Sequence, residues 1–372
     1  MTDPATHDAF LAHAVRIARR GLGRTAPNPA VGALVVAAGT DGRGTIVGAG
    51  VTAVGGRPHA ETQALEQAGR RARGATLYVS LEPCSHHGRT PPCADAVIDA
   101  GIEQVVCALL DPDARVAGRG FTRLERFGVD VVLRPRPDAA LVAAPHTLRV
   151  RYARPHVVVK LAVSADDRIA HGDGAPVWVT GETARQHGHL LRARADAIMV
   201  GRGTVDADDP GLDCRLPGLA GRSPRPVVLA SGGIDLTGKR LATRDPIICV
   251  ADDVSEVPSA GLAVPRRPDG GLDVRTVLAG LAVRGTTSVL IEGGPTLAAS
   301  VVADGLTDEI VLYRGADPLG EKDGASLPSA LADALADRAR WLVRDTLALG
   351  ADTLTRYHRA SLANDLMTSA PA

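Results

Sequence analysis

The sequence predicts a two-domain α/β protein. Its 372 residues suffice for two domains of ordinary size, each with its own apolar core. Apolar strand-like runs alternate with amphipathic helical stretches before residue 134 and again after residue 155. Such alternation is typical of mostly parallel sheets covered by helices on both faces. Because Arg134–Pro137 interrupts the pattern, we expect one domain over residues 1–150 and a second over residues 151–372.

The first series begins with apolar residues at helical spacing from Phe10 to Ala18, which predict a helix that ends at Gly21. The elements after it are expected in the order strand, strand, helix, strand, helix, strand, helix and strand. Their predicted ranges are 31–37, 45–51, 59–73, 75–81, 93–100, 104–110, 120–127 and 129–133.

A connecting helix over 138–150 leads to the second series. Residues 253–272 are polar and rich in Pro and Gly, which indicates a surface excursion, and the last dozen residues are expected to be a frayed tail. The predicted strands are 156–163, 177–180, 196–200, 226–230, 246–250, 286–291 and 308–313, and the predicted helices are 181–194 and 296–303.

Composition narrows the function classes. Lys plus Arg and Asp plus Glu number 42 each, so the chain lacks the basic excess of a nucleic-acid binder. The chain has five cysteines, an odd number, and two of them are candidate metal ligands. A disulfide framework is therefore not expected, and a reducing compartment is favoured. The first 20 residues have no apolar signal core, and no apolar run is long enough to span a membrane. We therefore expect a cytoplasmic protein.

The strongest chemical signal is a candidate zinc site. Cys84 and Cys93 have eight residues between them in a proline-rich loop, and His59 lies upstream with Glu61 two positions later. One imidazole and two thiolates leave the fourth position of a tetrahedral zinc site open, as in catalytic sites. A nearby glutamate that is not a ligand is the proton carrier of zinc deaminases. The pattern predicts hydrolytic deamination with one zinc per chain.

Other readings compete for these residues. A His-x-Glu triplet occurs by chance in many chains. It indicates a zinc site here only because the cysteine pair accompanies it. Cys107, Cys214 and Cys249 are most simply small buried side chains. His86 and His87 could form a second metal site, although polar substrate contacts at the rim of the first site are favoured.

Four segments stand in an order that resembles one family closely. They are Pro27–Gly32, His59–Glu61, Glu82–Cys93 and Val116–Gly120. Over about the first 135 residues, the chain resembles the deaminase half of the bifunctional riboflavin biosynthesis proteins, the diaminohydroxyphosphoribosylaminopyrimidine deaminase/reductases. The resemblance implies a cytidine-deaminase-like three-layer α/β/α domain that replaces the ring amine of a phosphorylated pyrimidine, 2,5-diamino-6-(5-phosphoribosylamino)pyrimidin-4(3H)-one, with oxygen.

The second half resembles the reductase domain of the same family, which has a dihydrofolate-reductase-like α/β fold. The resemblance rests on Lys160–Ser164, Trp178–Thr180, Gly201–Pro210 and Glu292–Thr296. Independently, two glycines between an apolar strand and a helix leave free amide donors for an anion, although Gly-Gly before a helix is often only a turn. The resemblance implies reduction of the ribosyl chain to 5-amino-6-(5-phosphoribitylamino)uracil by NADPH.

The resemblance also assigns residues in the second half. The NADPH contacts that it implies are Ala162, Trp178, Thr204, Asp208, Ser231, Gly294, Pro295 and Thr296. The substrate contacts that it implies are Pro176, Arg192, Leu212, Arg215 and Glu292. Without the family, salt bridging would explain the arginines as well, and core packing would explain Trp178 and Leu212. Lys160 could polarise the reacting centre or form a structural ion pair. The family further implies a homo-oligomer, either a dimer or a tetramer.

Two departures from the family pattern concern this half. Asp167 stands where a glycine is usual, in a turn expected to need positive φ, and Pro176 stands where a serine is common.

Two alternative functions are weighed against this assignment. One is a nucleoside or tRNA-base zinc deaminase with a non-catalytic C-terminal domain, which would explain neither the cysteine spacing nor the second domain. The other is a binding module with a vestigial catalytic half, which would predict broken ligands or a missing Glu61.

Overall fold

The protein is described here from a computed structural model, which covers residues 4–39, 44–86, 91–113, 116–170, 178–320 and 324–367. The chain divides into two compact units. The first comprises Met1–Ala153 and the segment that begins at Ala363, and the second comprises Arg154–Leu362. None of the helices found in the covered ranges combines the length and the apolar composition that crossing a bilayer requires.

Among the described residues, the main segment of the first unit contains a five-stranded sheet and five α-helices. The strands are β1 Gly32–Ala38, β2 Gly44–Val51, β3 Thr76–Val79, β4 Gln104–Cys107 and β5 Asp130–Leu133. The helices are α1 Pro4–Ala18, α2 Ala60–Ala68, α3 Cys93–Asp99, α4 Arg119–Arg126 and α5 Pro137–Tyr152.

The strand order of this sheet is β2-β1-β3-β4-β5. Strands β3, β4 and β5 are parallel, whereas β1 is antiparallel to both of its neighbours. The mostly parallel sheet predicted from the sequence is therefore wrong for this half of the sheet, because the connection between β1 and β2 is too short for a parallel crossover. Helices α1 and α2 both pack on β1, α5 contacts α1, and α3 contacts α2 and α4.

Helix α2 lies unusually close to β2. A Cβ atom added at Gly48 would lie 2.0 Å from the carbonyl oxygen of Ala64, and one added at Gly50 would lie 2.0 Å from that of Ala60. Any side chain at these two strand positions would push the helix outward, since contacts this short are forbidden. The glycines thus fix the depth of α2, the helix that bears Glu61 and follows His59.

The second unit contains a nine-stranded sheet and a two-stranded sheet. The strands are β6 His156–Val163, β7 Arg168–Ala170, β8 Ala197–Gly201, β9 Arg225–Leu229, β10 Ile247–Ala251, β11 Leu262–Val264, β12 Ser288–Ile291, β13 Glu309–Arg314, β14 Gly324–Ser326, β15 Trp341–Leu349 and β16 Asp352–Arg359. The helices are α6 Glu182–Arg192, α7 Arg202–Asp208, α8 Val274–Val283, α9 Pro295–Ala303 and α10 Ser329–Ala336; α11 Leu362–Met367 follows at the end of the chain.

The large sheet has the order β11-β10-β9-β8-β12-β6-β13-β16-β15 and is parallel from β11 to β13. Successive residues of its central strands enter different cores. Ala197 and Met199 join one apolar cluster, whereas Ile198 and Val200 join another. Because both faces are covered, these strands are nearly continuous apolar runs, as the sequence predicted.

Three predictions for the second half need correction, and one hairpin was missed. Residues 178–180 form no strand, and Trp178 is 70% exposed. Residues 253–272 include β11, which pairs with β10. The β15–β16 hairpin was not predicted from the sequence, and β15 is mostly exposed although it contains several apolar residues. The expected frayed tail contains α11, whose Leu362 and Leu366 are buried.

Candidate active sites

The first unit brings the predicted zinc ligands to one point. His59 caps the N-terminus of α2, Cys93 is the first residue of α3, and Cys84 lies in the loop after β3. His59 Nδ1 is 3.2 Å from Cys93 Sγ and 3.6 Å from Cys84 Sγ. The three donor atoms lie within 4.8 Å of one another. A compact set of one nitrogen and two sulfurs fits tetrahedral zinc with its fourth position open.

The electrostatics of this cluster favour a thiolate. The hydrogen bond with Cys93 and then that with His59 lower the pKa of Cys84 to about 4. The backbone N–H of Cys93 also donates to Cys84 Sγ at 3.3 Å. Since the thiolate is the form that binds metal, Cys84 is prepared for coordination by the fold itself.

Glu61 lies in the first turn of α2 and is 3% exposed. Burial, assisted by the nearby charge of Cys84, raises the pKa of Glu61 to about 7. A carboxyl group with a pKa near neutrality can both accept and release protons, which is the property of a general acid–base catalyst. Glu61 lines a cavity of about 150 Å³ together with His59 and Cys84.

Several further polar residues line this cavity, and the sequence did not single out most of them. Asn28 belongs to the Pro27–Gly32 segment, and His86 is exposed at the rim, where a substrate contact was expected. His87 lies outside the described residues. The remaining polar lining residues are Thr52, Arg57, Glu82, Asp111, Asp113, His146 and Arg149.

Glu82 explains why two distant segments of the deaminase pattern occur together. Its buried carboxylate accepts backbone N–H groups from Asp111 at 3.2 Å, Gly118 at 3.0 Å and Gly120 at 3.0 Å. A Cβ atom at Gly120 would lie 2.2 Å from the carbonyl oxygen of Pro83, the residue before Cys84. The Val116–Gly120 segment therefore supports the loop that presents Cys84.

Replacing Glu82 should destabilise the fold, because the Val116–Gly120 segment is held by its carboxylate. A Glu82→Gln side chain places an N–H₂ group where at least one backbone N–H needs an acceptor, so we expect a loss of about 1–3 kcal/mol in the free energy of unfolding. Urea titration measures the loss. Glu125→Gln, an exposed change on α4, is the control and should stay within about 0.5 kcal/mol of the parent. Equal stability of both variants would contradict the role given to Glu82.

The second unit has a cleft of about 420 Å³ beside the carboxyl ends of β8 and β9. Two predicted NADPH contacts, Ser231 and Thr296, line this cleft. Gly294 caps α9 and donates its N–H to Thr204 Oγ1 at 3.2 Å, and Pro295 occupies the first turn. Thr204, Ser231 and Gly294–Thr296 are thus grouped at strand ends, where open parallel sheets bind nucleotides, and a helix N-terminus with free amide groups fits the phosphates of NADPH.

Arg192 and Glu292 form a bidentate ion pair. Arg192 Nε donates to Glu292 Oε1 at 2.9 Å and Nη2 donates to Oε2 at 2.8 Å. Arg192 Nη1 donates to the carbonyl oxygen of Asp213 at 3.0 Å. Burial raises the pKa of Glu292, but the charges of Arg192 and Lys160 outweigh burial and hold it below its ordinary value. Lys160 Nζ also lies 5.7 Å from the ring centroid of Tyr313.

The other predicted contacts of this half are more scattered. Ala162 is half-buried on β6, and Asp208 is exposed at the end of α7. Arg215 is exposed, and its Nε lies 3.9 Å from Asp213 Oδ1. Trp178 lies under the Arg185 guanidinium, 4.7 Å from the ring centroid.

The side chain of Leu212 is only 3% exposed and packs in an apolar cluster, so its backbone is the part that could meet a ligand. Pro176 lies outside the described residues.

The positive φ expected at Asp167 is confirmed, with a value of 58°. Asp167 Oδ1 pairs with Arg314 Nη1 at 2.5 Å, and the neighbouring Asp166 accepts backbone N–H groups from Leu319 and Gly320. An aspartate tolerates this region better than most residues, so the turn persists without glycine.

Comparison with known proteins covers both units. Residues 4–109 match the cytidine and deoxycytidylate deaminase zinc-binding region, and residues 155–354 match the RibD C-terminal domain. The chain is 36% identical to the riboflavin biosynthesis protein RibD of Escherichia coli K12 over 92% of this chain and 96% of that protein. It is 35% identical to RibD of Aquifex aeolicus over 84% of this chain and 87% of the relative.

Solved structures agree. Acinetobacter baumannii RibD, form 1, has a TM-score of 0.83 at 32% identity and is matched over 96% of this chain and 100% of its own. A diaminohydroxyphosphoribosylaminopyrimidine deaminase/5-amino-6-(5-phosphoribosylamino)uracil reductase from Thermotoga maritima has a TM-score of 0.79 at 30% identity over 96% and 99%. The predicted fold class, a cytidine-deaminase-like part followed by an α/β reductase part, is confirmed.

Proposed function

The chain belongs to the RibD family of riboflavin biosynthesis proteins, and from this premise we propose which residues perform its two reactions. It is a bifunctional enzyme, a zinc deaminase and an NADPH-dependent reductase, and it acts on small molecules. The alternative of a nucleoside or tRNA-base deaminase is not favoured, because residues 155–354 match the RibD C-terminal domain.

For the deaminase, we propose His59, Cys84 and Cys93 as the zinc ligands and Glu61 as the proton carrier. The observation that supports this most strongly is the grouping of the three donor atoms within 4.8 Å of one another, two of them on residues that line the same cavity as Glu61. Zinc bound there would make a water molecule acidic enough to act as the nucleophile near neutral pH. Glu61 would take a proton from water and deliver it to the ring nitrogen. It would then take the proton of the hydroxyl group added to the ring carbon and give it to the departing amine, as the carbonyl forms and the carbon–nitrogen bond breaks.

For the reductase, we propose that NADPH, the hydride donor, is held by Ala162, Trp178, Thr204, Asp208, Ser231 and Gly294–Thr296. Support comes from the Thr204–Gly294 hydrogen bond and from Ser231 and Thr296 in one cleft. We propose that the phosphorylated substrate is held by Pro176, Arg192, Leu212, Arg215 and Glu292. The Arg192–Glu292 pair supports this least directly, because the two side chains already satisfy each other.

We also propose that the two activities divide between residues 1–150 and 151–372, and the two compact units support a division near this point. The balanced charge supports a protein that binds no nucleic acid. The free state of all five cysteines supports a cytoplasmic location. A homo-oligomer, dimer or tetramer, is proposed from the family alone.

The decisive experiment supplies the purified protein with the diaminopyrimidinone ribotide and NADPH and follows the products by mass spectrometry. We expect first a product in which one amine is replaced by oxygen, with release of ammonia, and then a product that has gained two hydrogens. Ammonia release without the second product would leave only the deaminase half of the proposal standing. No change of the ribotide would contradict the deaminase half, and failure to reduce deaminated substrate supplied with NADPH would contradict the reductase half.

The substrate role of the ion pair can be separated from its structural role. Arg192→Met alone leaves the Glu292 carboxylate nearly buried without its partner and should lower the free energy of unfolding by about 3 kcal/mol. The double variant Arg192→Met/Glu292→Gln removes that charge and should recover most of the stability. If the pair binds substrate, the KM of the double variant for deaminated substrate stays raised while its Kd for NADPH is unchanged. A normal KM would make the pair structural only.

A further inference from the structure

The deaminase cavity has a second wall, formed by α5, whose polar groups have no assigned role. His146 and Arg149 lie three positions apart on this helix and both line the cavity. Residues at this spacing share one face of a helix. Neither belongs to any motif of the deaminase pattern.

His146 is a buried polar side chain that lacks a partner. Its side chain is 11% exposed, and neither ring nitrogen has a hydrogen-bond partner among the described residues. Asp111 is a charged neighbour, but its Oδ1 lies 3.7 Å from His146 Nε2, too far for a hydrogen bond. Buried polar groups are nearly always hydrogen-bonded, so an unpaired imidazole in a substrate cavity calls for a ligand group.

Arg149 has spare donors. Its Nη2 donates to the carbonyl oxygen of Pro27 at 3.3 Å, whereas its buried Nε is unpaired within the described part of the chain. A guanidinium held by one bond presents its remaining N–H groups in a fixed plane, the arrangement that recognises phosphate.

We propose that α5 binds the phosphoribosyl arm of the deaminase substrate, with Arg149 contacting the phosphate and His146 contacting a ribosyl hydroxyl. The phosphate is the one group of this substrate that needs a cation. An imidazole with two open nitrogens suits a hydroxyl, which can donate or accept, in either tautomer. The pyrimidine ring must meet Glu61 and the proposed zinc ligands, and the same cavity offers the ribosyl arm the polar groups of α5. This inference rests on the proposed deaminase function.

Three substrates that differ only in the arm test this inference. They are the free diaminopyrimidinone base with a 6-amino group, its riboside and its ribotide. For Arg149→Met, we expect KM to rise about 10- to 100-fold for the ribotide alone. For His146→Phe, we expect KM to rise about 3- to 10-fold for the riboside and the ribotide but not for the base. His146→Gln, which keeps a hydrogen-bonding group, should recover part of the loss. In all three variants, kcat should change little.

Controls make every outcome informative. Arg151→Met changes the same helix, but Arg151 does not line the cavity, so its KM values should equal those of the parent. An equal rise in KM for all three substrates, or no rise for any of them, would overturn the inference. Should His146→Phe fold poorly, His146→Gln and Arg149→Met still provide the test. A parent enzyme that deaminates none of the three would instead refute the proposed deaminase function.

Discussion

Glu61→Gln is expected to stop ammonia release while leaving zinc in place. The amide is nearly the same size as the carboxyl group but cannot accept the proton that the carboxylate takes. General acid–base groups contribute on the order of 10²–10⁴-fold, so kcat for deamination should fall by that factor. Steady-state ammonia release gives the rate, and elemental analysis gives the zinc content.

The matched control is Glu66→Gln, an exposed glutamate on the same helix, which should deaminate at the parent rate. Near-normal deamination by Glu61→Gln would mean that another group moves the proton. Loss of zinc from this variant would instead make Glu61 part of the metal site.

Cys84→Ala is expected to remove both zinc and deamination while leaving reduction intact. The variant deletes one of three protein ligands, and a site with two remaining donors should not retain the metal through purification. Deaminated substrate and NADPH should still be converted, because the residues proposed for the reductase lie in the other compact unit. Elemental analysis, ammonia release and NADPH oxidation are measured on one preparation.

Cys107→Ala is the control for this variant. Cys107 is buried in β4 and does not belong to the group of three donor atoms, so its loss should leave the zinc content unchanged. Zinc retained in Cys84→Ala would refute the ligand assignment. Simultaneous loss of reduction in a folded protein would show that the two activities depend on each other.

The chemistry of the first site could be predicted from the sequence because zinc restricts both residue type and spacing. His59, Cys84 and Cys93 were found in this way, and the grouping of their donor atoms agrees with the prediction. His146 and Arg149 could not be found, because they come from a connecting helix without a motif and only the tertiary fold brings them to the cavity. Glu82 lay inside a motif, but its three backbone partners are distant in sequence.

The fold was predictable where both faces of a strand are buried. Strand β6 was predicted at its observed bounds. Alternate residues of β6 point into one apolar core, and most of the residues between them are also apolar, so the strand forms a nearly continuous apolar run in the sequence. The β15–β16 hairpin was missed because an exposed strand has no such signal. The antiparallel pairing of β1 was missed because the alternation of strands and helices along the chain indicated a mostly parallel sheet, and the short β1–β2 connection was not weighed against it.

The contact between α2 and the glycines of β2 limits which parts of the deaminase pocket can change shape when a molecule binds. Backbone meets backbone there, so no flexible side chain lies between helix and sheet to be compressed or rearranged. The wall that bears Glu61 is therefore the stationary one. Adjustment to the size of an incoming molecule is expected from other lining side chains, such as the long Arg149 side chain, which can change rotamer without moving the backbone of α2.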